Sequence, residues 1–341
     1  MNRSFDVGAR LEEFPRERLA LTPTPLDELT NLSDRLGTGV LLKRDDLTGL
    51  ALGGDKPRKL EYEIAYGRQR NTDVLVTCGS MQSNHARLTS AAARKLGLDC
   101  ALVLSRDAYD DLQGNLLTVR LLGADIRVVD AEDHWDLEPQ ALALCEELRE
   151  RGRRPHYIPI SGTTPHSCLG YVRGGLELAE QINTSGRHPD AIYLPFGTGG
   201  IFTALLFTLR NQGIASPVIG ISVNRSRSEC HENFTHWWTA LGELLGAAAP
   251  PPQDFEIHDD FVGREYGDPT AACLDAILLV ARTEGVFLDP VYSGKTFAGF
   301  LAHHAAGRWT EQHQVLILHS GGVPALFAYH DALAQHLAKR G

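Results

Sequence analysis

The sequence predicts an α/β protein in which largely parallel sheets are covered by helices on both faces. Short apolar runs alternate with longer segments of helical periodicity along the 341-residue chain. The runs are continuous rather than alternating in polarity, which is typical of strands buried on both faces. Helical segments such as "NHARLTSAAARKLG" and "LQGNLLTVRLLG" end at a glycine suited to a C-cap.

Eight apolar runs are the predicted strands, in chain order 39–43, 73–78, 100–104, 125–130, 156–160, 191–195, 217–223 and 314–320. Because a strand–loop–helix unit repeats between the second and fifth runs, we expect a smaller α/β domain over 66–169. Residues 1–65 and 170–341 are then the larger domain. The least regular region, 224–266, contains the helix-breaking "APPPQ" and is interpreted as surface or lid structure over a site.

Composition excludes several classes of partner. The net charge is −10 without a Lys/Arg stripe, so neither nucleic acid nor an acidic membrane is expected to bind. No apolar run approaches the roughly 20 residues that span a bilayer, and the N-terminus lacks the apolar core of a signal peptide. Six scattered cysteines form no CxxC pair and 14 histidines form no HExxH pattern, so no metal site is predicted. A cytoplasmic protein is expected.

The loop "CGSMQSNHAR" (78–87) follows a predicted strand and opens a helix. Ligands of doubly wound folds bind beyond the carboxyl ends of the strands, so such loops are the informative ones. Ser83 and Asn84 are good helix N-caps. The same groups offer a hydroxyl, an amide and free backbone N–H groups to a substrate carboxylate, and the two roles are compatible.

A second loop, "LPFGTGGIFTALL" (194–206), is rich in glycine where a strand meets a helix. Its candidate phosphate-binding residues are Gly197, Thr198, Gly199 and Gly200. The loop has neither the GxGxxG pattern of dinucleotide sites nor the GK[ST] of a P-loop. A single compact phosphate is therefore favoured, and a dinucleotide-dependent oxidoreductase is disfavoured.

Two further loops place hydroxyl groups near the same sheet edge. "DPVYSGKTFAGF" (289–300) carries Tyr292 and Ser293, and "ILHSGGVPALFAY" (317–329) carries Ser320 at the end of a strand. A hydroxyl ending an inner strand either caps the next helix or meets a ring nitrogen of a cofactor.

The stretch "GLALGGDKPRKLEYE" (49–63) places Lys56 at the start of a helix, where the helix dipole disfavours a cation. Asp55 is expected to cap this helix through its side chain. A cofactor with one phosphate, one aldehyde and one ring nitrogen would use all these loops, and that cofactor is pyridoxal 5'-phosphate. Lys56 is then the candidate lysine for its Schiff base.

Four motifs together carry a resemblance to a known family: "KRDDLTGLALGGDKPRKLEYE", "QSNHAR", "DPVYSGK" and "SGGVPALFAY". From "LTPTPLDEL" at residue 21 almost to the end, the chain resembles the D-cysteine desulfhydrases and 1-aminocyclopropane-1-carboxylate (ACC) deaminases. The resemblance implies pyridoxal phosphate as cofactor, a tryptophan-synthase-β-like fold (fold type II), cofactor binding by the larger domain, and a homodimer.

The resemblance also implies roles for single residues. Lys56 matches the cofactor lysine, and Ser83 matches a catalytic serine that contacts the substrate. Asn84 and His85 match the carboxylate pocket, with Asn84 also beside the cofactor.

The remaining matches lie in the second half of the chain. Residues 197–200 match the phosphate loop, and Tyr266 of "REYGDP" and Tyr292 match two active-site tyrosines. Ser320 matches the position beneath the pyridine ring.

Three positions separate the two activities within the family. ACC deaminases carry Glu after the "DPVY" tyrosine and Leu before the last Gly-Gly, where this chain has Ser293 and Ser320. Bacterial ACC deaminases tend to have Gln where this chain has His85. The resemblance therefore implies the desulfhydrase branch, with Ser293 in the substrate pocket and β-elimination from D-cysteine to pyruvate, sulfide and ammonia.

Other functions stay open. They are L-cysteate sulfo-lyase, an elimination or replacement enzyme of specialised metabolism, ACC deaminase as the less favoured choice, and a non-catalytic protein that binds pyridoxal phosphate or an amino acid. A sulfonate substrate would favour extra hydrogen-bond donors or cations in the 161–175 loop, where His166 and Arg173 are available.

The chain also departs from the family. Asp55 replaces a usual Asn, Ile201 replaces a usual Thr in the phosphate loop, and the 161–175 segment is altered. Thr163 of that segment is expected to contact the substrate. The base that removes the α-proton is either Lys56 or Ser83.

Overall fold

The computed structural model describes residues 5–106, 109–130 and 134–340. The strands are β1 (Leu26–Glu28), β2 (Gly39–Lys43), β3 (Val74–Ser80), β4 (Asp99–Ser105), β5 (Asp125–Val129), β6 (Pro155–Tyr157), β7 (Ala191–Phe196), β8 (Val218–Ser222), β9 (Phe255–His258) and β10 (Gln314–Leu318). The α-helices are α1 (Val7–Leu11), α2 (Thr30–Leu36), α3 (Lys56–Arg68), α4 (Asn84–Leu96), α5 (Gly114–Leu121), α6 (Glu138–Glu150), α7 (Pro165–Ser185), α8 (Gly200–Asn211), α9 (Arg227–Leu245), α10 (Ala271–Glu284), α11 (Ser293–Ala305), α12 (Ala325–Ala328) and α13 (His330–Arg340). Short 3₁₀ turns lie at Asp45–Leu47, Leu50–Leu52, His134–Leu137 and Ile160–Gly162.

The strands form two sheets. The larger sheet has the order β1-β2-β10-β7-β8-β9 and is parallel except for the antiparallel pair β1–β2. The smaller sheet has the order β5-β4-β3-β6 and is parallel throughout. The predicted α/β class with largely parallel, helix-flanked sheets is therefore confirmed. All four strands of the smaller sheet fall within 66–169, while the division of the chain into domains stays a prediction.

Each sheet separates two apolar cores. Along β10, Leu316 and Leu318 pack on one face, and Val315 and Ile317 pack on the other. This follows from the two-residue period of a strand. All four side chains are buried, which is why the sequence reads as a continuous apolar run there rather than as an alternation.

Helix α3 is buried on almost every side although it carries several charges. Its charged side chains have partners: the Arg58 guanidinium lies 2.9 Å from an Asp45 carboxylate oxygen and 2.7 Å from one of Glu177. Glu61 accepts hydrogen bonds from the backbone N–H groups of Leu19 and Ala20. Because unpaired buried charges are costly, these contacts permit a charged helix to lie inside the protein.

The irregular region 224–266 was expected to be surface or lid structure, and this expectation is wrong in part. It contains α9, a helix of 19 residues, and the edge strand β9. The buried positions of α9 include Cys230, Phe234 and Trp238, spaced four residues apart. That spacing places them on one helical face, which packs into the core beside the larger sheet. Within the described residues, no helix is long and apolar enough to cross a membrane.

Candidate active site

Two adjoining cavities meet at Lys56 where the strands of both sheets end, with about 420 and 340 Å³ of empty space that is partly open to solvent. One cavity, the glycine-loop half, is walled by residues 197–200 together with Lys59 and Ser320. The other, the α4 half, is walled by the start of α4 and by Tyr266. Lys56, Ser161 and Tyr292 line both halves.

The glycine-loop half is shaped by the turn from β7 into α8. Gly199 has a φ of +90°, and a Cβ there would lie 2.8 Å from the ring of Phe196. A Cβ on Gly200 would lie 2.6 Å from the Thr163 methyl carbon. Both positions therefore require glycine. The turn leaves the first backbone N–H groups of a 12-residue helix beside the cavity, an arrangement that suits an anion.

Lys59 is a second lysine in this half, and the sequence analysis did not identify it. Its Nζ donates to the carbonyl of Ser161 at 2.9 Å and to Thr163 Oγ1 at 2.7 Å. Burial, followed by the nearby charge of Lys56, lowers the pKa of Lys59 to about 7. The i+3 spacing from Lys56 on one helix was the available signal.

The α4 half is built around the N-terminus of α4. Ser83 caps the helix, as predicted, and its Oγ accepts from the Ala86 N–H at 3.1 Å. Asn84 Oδ1 accepts from Asn115 Nδ2 at 2.9 Å, which leaves the Asn84 amide nitrogen as a donor beside the cavity. A hydroxyl, an amide and a helix N-terminus thus face one space, which suits a carboxylate.

His85 lies in the wall of the α4 half and is 2 % exposed. Its ring rests against Gly162, where a Cβ would lie 2.5 Å from His85 Cε1. Nδ1 is 3.5 Å from the Thr89 hydroxyl, and within the described structure Nε2 is buried without a hydrogen-bond partner. Burial, then the charges of Lys56 and Lys59, hold the pKa of His85 well below its usual value, so the imidazole is neutral.

Lys56 is paired with Asp55. Lys56 Nζ donates to Asp55 Oδ2 at 2.6 Å, and both side chains are largely buried. The expectation that the Asp55 side chain caps α3 is wrong, because this carboxylate is directed to the lysine instead. The Asp55 backbone N–H donates to the carbonyl of Ser320 at 2.9 Å, which fixes the loop before α3 to the end of the larger sheet.

Two tyrosines close the space above Lys56. The hydroxyl oxygens of Tyr266 and Tyr292 are 2.6 Å apart, and Lys56 Nζ lies 5.9 Å from the ring centre of Tyr292. Burial, then the proximity of Tyr266, raises the pKa of Tyr292 well above its usual value, so its phenol keeps its proton.

The structure does not bring every predicted substrate contact to the cavity wall. Ser293 is fully buried, and its Oγ donates to Asp289 Oδ1 at 2.6 Å and accepts from the Asp289 N–H at 2.8 Å. Thr163 lies behind the glycine loop, with its Oγ1 2.6 Å from that of Thr198. Both hydroxyls are thus used within the protein, and neither residue lines the two halves described above.

The groups present fit pyridoxal phosphate. The glycine loop and Lys59 suit a phosphate, Lys56 is an amine near the middle of the cavity, and the Ser320 side chain is part of the same wall. The orphaned Nε2 of His85 is a further polar atom in the wall that a ligand would satisfy. Together with the two largely parallel sheets, these residues define the class of pyridoxal-phosphate-dependent enzymes.

Comparison with known proteins identifies the family. Residues 17–321 match the family model described as "Pyridoxal-phosphate dependent enzyme". A putative 1-aminocyclopropane-1-carboxylate deaminase of Pyrococcus furiosus is 38% identical over 97% of this chain and 99% of its own length. A D-cysteine desulfhydrase of Serratia proteamaculans is 37% identical over 96% and 99%. The chain therefore belongs to the pyridoxal-phosphate-dependent lyases of the ACC deaminase and D-cysteine desulfhydrase family.

Solved structures agree with this assignment. The crystal structure of an ACC deaminase homologue matches with a TM-score of 0.89 and 36% identity, covering 98% of this chain and all of the other. A fungal L-serine ammonia-lyase from Rhizomucor miehei matches with a TM-score of 0.68 at 20% identity over 95% and 99%, which supports the fold alone. The predicted fold type II architecture, cofactor and enzyme class are confirmed.

Proposed function

We propose that this enzyme catalyses β-elimination from D-cysteine, forming pyruvate, sulfide and ammonia. The observation that carries the proposal is the position of Lys56, which lines both the anion-binding glycine loop and the carboxylate-binding start of α4. A single amine thus reaches a cofactor held in one half and a substrate held in the other. The name of the Serratia relative supports the same substrate.

In this proposal the loop 197–200 and Lys59 would hold the cofactor's phosphate, Lys56 would be the amine for its aldehyde, and Ser320 would face its ring. Asn84 contributes a donor beside it. Pyridoxal phosphate, when bound, supplies an electron sink that stabilises negative charge at the substrate's α-carbon. A serine hydroxyl near the ring makes the cofactor a weaker electron sink than a carboxylate there would. This weaker electron sink is suited to the elimination of a good leaving group.

The substrate carboxylate binds at the start of α4 in this proposal. Ser83 Oγ already accepts the Ala86 N–H, so its own proton is available to donate to a carboxylate. The Asn84 amide nitrogen and the free N–H groups of the first helical turn add further donors. His85 is neutral and adds no charge to this half of the cavity. The substrate carboxylate is therefore bound by hydrogen-bond donors, with no cation contributed by His85.

Lys56 is the proposed base for the α-proton. Its Nζ lies 2.6 Å from Asp55 Oδ2, so a proton taken from the substrate is stabilised by a carboxylate already in contact. Ser83 has no comparable partner, because its contact in the described structure is the helix cap. Tyr292 keeps its phenolic proton and is 2.6 Å from Tyr266, which makes this pair the donor to the departing sulfur.

The surroundings of His166 and Arg173 favour a substrate with a thiol over one with a sulfonate. The His166 ring stacks on Tyr66 with ring centres 3.7 Å apart. The Arg173 guanidinium donates to the Tyr62 hydroxyl at 2.7 Å and to Glu12 at 2.6 Å. Both groups are used outside the cavity, so a second strong anion on the substrate would lack a matching charge. L-cysteate is thus the weaker candidate.

The test compares four substrates on purified holoenzyme: D-cysteine, L-cysteine, L-cysteate and ACC. We expect sulfide and pyruvate in equal amounts from D-cysteine, with kcat/KM at least tenfold above the other three. Lys56→Ala is expected to abolish turnover, while Lys295→Met, which removes a buried lysine outside the cavity, is the matched control. Activity on ACC or L-cysteate with none on D-cysteine would overturn the proposal.

We also propose that the enzyme assembles as a homodimer, as the family resemblance implies. Leu117 and Leu121 are 39% and 77% exposed on α5, and Phe327 on the neighbouring α12 is 65% exposed. Helices α5 and α12 contact each other, and exposed apolar groups on adjoining helices are typical of an interface. Light scattering of purified protein should give twice the 37.4 kDa chain mass, and Leu121→Asp should give monomers.

A further inference from the structure

The glycine-loop residue Thr198 is held from two sides by residues outside the loop. On one side its Oγ1 lies 2.6 Å from Thr163 Oγ1. On the other side its backbone carbonyl accepts from the indole Nε1 of Trp237 at 2.8 Å. One contact fixes the side chain and the other fixes the peptide plane, so the loop conformation at this residue is set before any ligand binds.

The direction of the hydroxyl contact follows from Lys59. In its protonated form Lys59 Nζ only donates, and it lies 2.7 Å from Thr163 Oγ1, so Thr163 receives that hydrogen bond. The Thr163 hydroxyl proton is then free for Thr198, the remaining acceptor among its contacts. We assign Thr198 Oγ1 as the acceptor, because this arrangement gives the Thr163 proton a partner and leaves the Thr198 proton to donate elsewhere. Since Thr198 lines the cavity, that proton is available to an anion there.

Trp237 serves the loop rather than the core. Its neighbour Trp238 is 6% exposed, packs against Phe207 and Phe234, and donates to the carbonyl of Ala249. Trp237 lies on a different face of α9, and its Cδ1 is 3.4 Å from where a Gly199 Cβ would be. The indole thus contacts two successive loop residues, through a hydrogen bond to Thr198 and by packing on Gly199.

We propose that Thr163 and Trp237 are positioning residues for the phosphate of the cofactor, acting through Thr198. This inference rests on the proposed function only in that the glycine loop receives that phosphate. It replaces the expectation that Thr163 contacts the substrate. It also gives α9 a role at the site, as support for the glycine loop rather than as a lid.

The experiment measures the dissociation constant of pyridoxal 5'-phosphate from apoprotein, by absorbance and by quenching of tryptophan emission. Trp237→Phe removes one hydrogen bond, and Thr163→Val removes the contacts of its hydroxyl with Thr198 and Lys59. Each variant is expected to weaken binding by about threefold or more. We expect both variants to need more cofactor for half-maximal activity, because the support that they remove lies at the phosphate-binding loop. Inorganic phosphate is the second probe, and its affinity should fall in the same variants.

Matched controls separate positioning from general destabilisation. Trp238→Phe removes the same type of hydrogen bond from the same helix, and Thr203→Val removes a buried hydroxyl that has no partner in the described structure. Both should leave cofactor affinity within about twofold of wild type, whatever happens to the melting temperature. In a Thr198→Val background, Thr163→Val should have a smaller effect than in the wild type, because only its contact with Lys59 is left to lose.

The outcomes distinguish this inference from the proposed function. Wild-type apoprotein that takes up no pyridoxal phosphate would overturn both. Normal uptake with unchanged affinity in Thr163→Val and Trp237→Phe would overturn the positioning role and leave the proposed function standing. Equal weakening by Trp238→Phe would also overturn it, because the loss would then reflect the stability of α9.

Discussion

Gly170 is the point where helix α7 lies closest to the helix that carries the active-site lysines. A Cβ at this position would lie 2.0 Å from the backbone oxygen of Arg58 and 2.8 Å from the backbone nitrogen of Lys59. Real Cβ contacts are essentially never under 3.0 Å. Because the obstacle is backbone inside a buried helix, Gly170→Ala must separate the two helices by about 1 Å.

We expect Gly170→Ala to lower the free energy of unfolding by about 3 kcal/mol, the upper end of ordinary overpacking costs. Gly174→Ala, one turn further along α7, is the matched control. A Cβ there would lie 3.4 Å from Tyr171 Cδ1, an ordinary contact. Since alanine is the better helix former, this variant is expected to gain up to about 1 kcal/mol. The two variants should thus differ by roughly 3–4 kcal/mol.

Urea unfolding of the apoprotein, followed by circular dichroism, measures both free energies. The shift of α3 also moves Lys59 away from Thr163, so cofactor affinity should fall in Gly170→Ala and stay unchanged in Gly174→Ala. Equal stability of the two variants would refute the reasoning, because it would mean that the α3–α7 contact relaxes without cost.

Three further predictions concern the site itself. Because burial lowers the pKa of Lys59 to about 7 from 10.5, the free side chain is cationic below pH 7 and mostly neutral above it. Binding of methyl phosphate at pH 8 should therefore take up a proton, and its affinity should fall from pH 7 to 9. Calorimetry in buffers of different ionisation enthalpy measures this, and Lys59→Gln should abolish the pH dependence. The Asp289 carboxylate accepts hydrogen bonds from three backbone N–H groups and from the Ser293 hydroxyl. Asp289→Asn brings an amide N–H against those donors. This variant should lower kcat more than tenfold. Ser293→Ala loses the two hydrogen bonds of its hydroxyl, each worth about 1 kcal/mol, and should still retain most of the activity. A larger loss than in Asp289→Asn would contradict the assigned order. Asp55→Asn removes the carboxylate beside Lys56. Acetylation of Lys56 in apoprotein at pH 8, followed by mass spectrometry, should then be faster. An unchanged rate would argue against a functional Asp55–Lys56 pair.

The predictable part of the fold was the part set by local apolar patterning. All eight predicted strands are present, although the fifth is only Pro155–Tyr157. The missed strands, β1 and β9, are three and four residues long and carry acidic residues, so their apolar signal is weak. Helix α9 was missed because "APPPQ" dominated the interpretation of its region. The four-residue spacing of its buried positions was a usable signal.

The predictable part of the site was the set of residues at strand ends and helix starts. Gly197 follows β7 of the larger sheet and Ser83 follows β3 of the smaller sheet, and both line the cavities that meet at Lys56. Their positions agree with the rule that ligands bind beyond the carboxyl ends of parallel strands. Hydrogen bonding in three dimensions was not predictable from the residue type. Asp55 is of a residue type that caps helices, yet its side chain pairs with Lys56. Thr163 contacts Thr198 from outside the cavity. In both cases a tertiary neighbour offers the side chain a stronger partner than its own helix does.

The most direct test asks which lysine holds the cofactor. Borohydride reduction of the holoenzyme fixes the cofactor's aldehyde carbon to the amine that has condensed with it, and peptide mapping then locates the modified residue. Lys56 and Lys59 both line the cavity and lie on one helix, so the measurement discriminates between real alternatives. We expect the modification on Lys56 alone, and none in Lys56→Ala. Modification of Lys59 in the wild-type enzyme would contradict the account, because Lys59 would then be the reactive amine rather than a phosphate ligand.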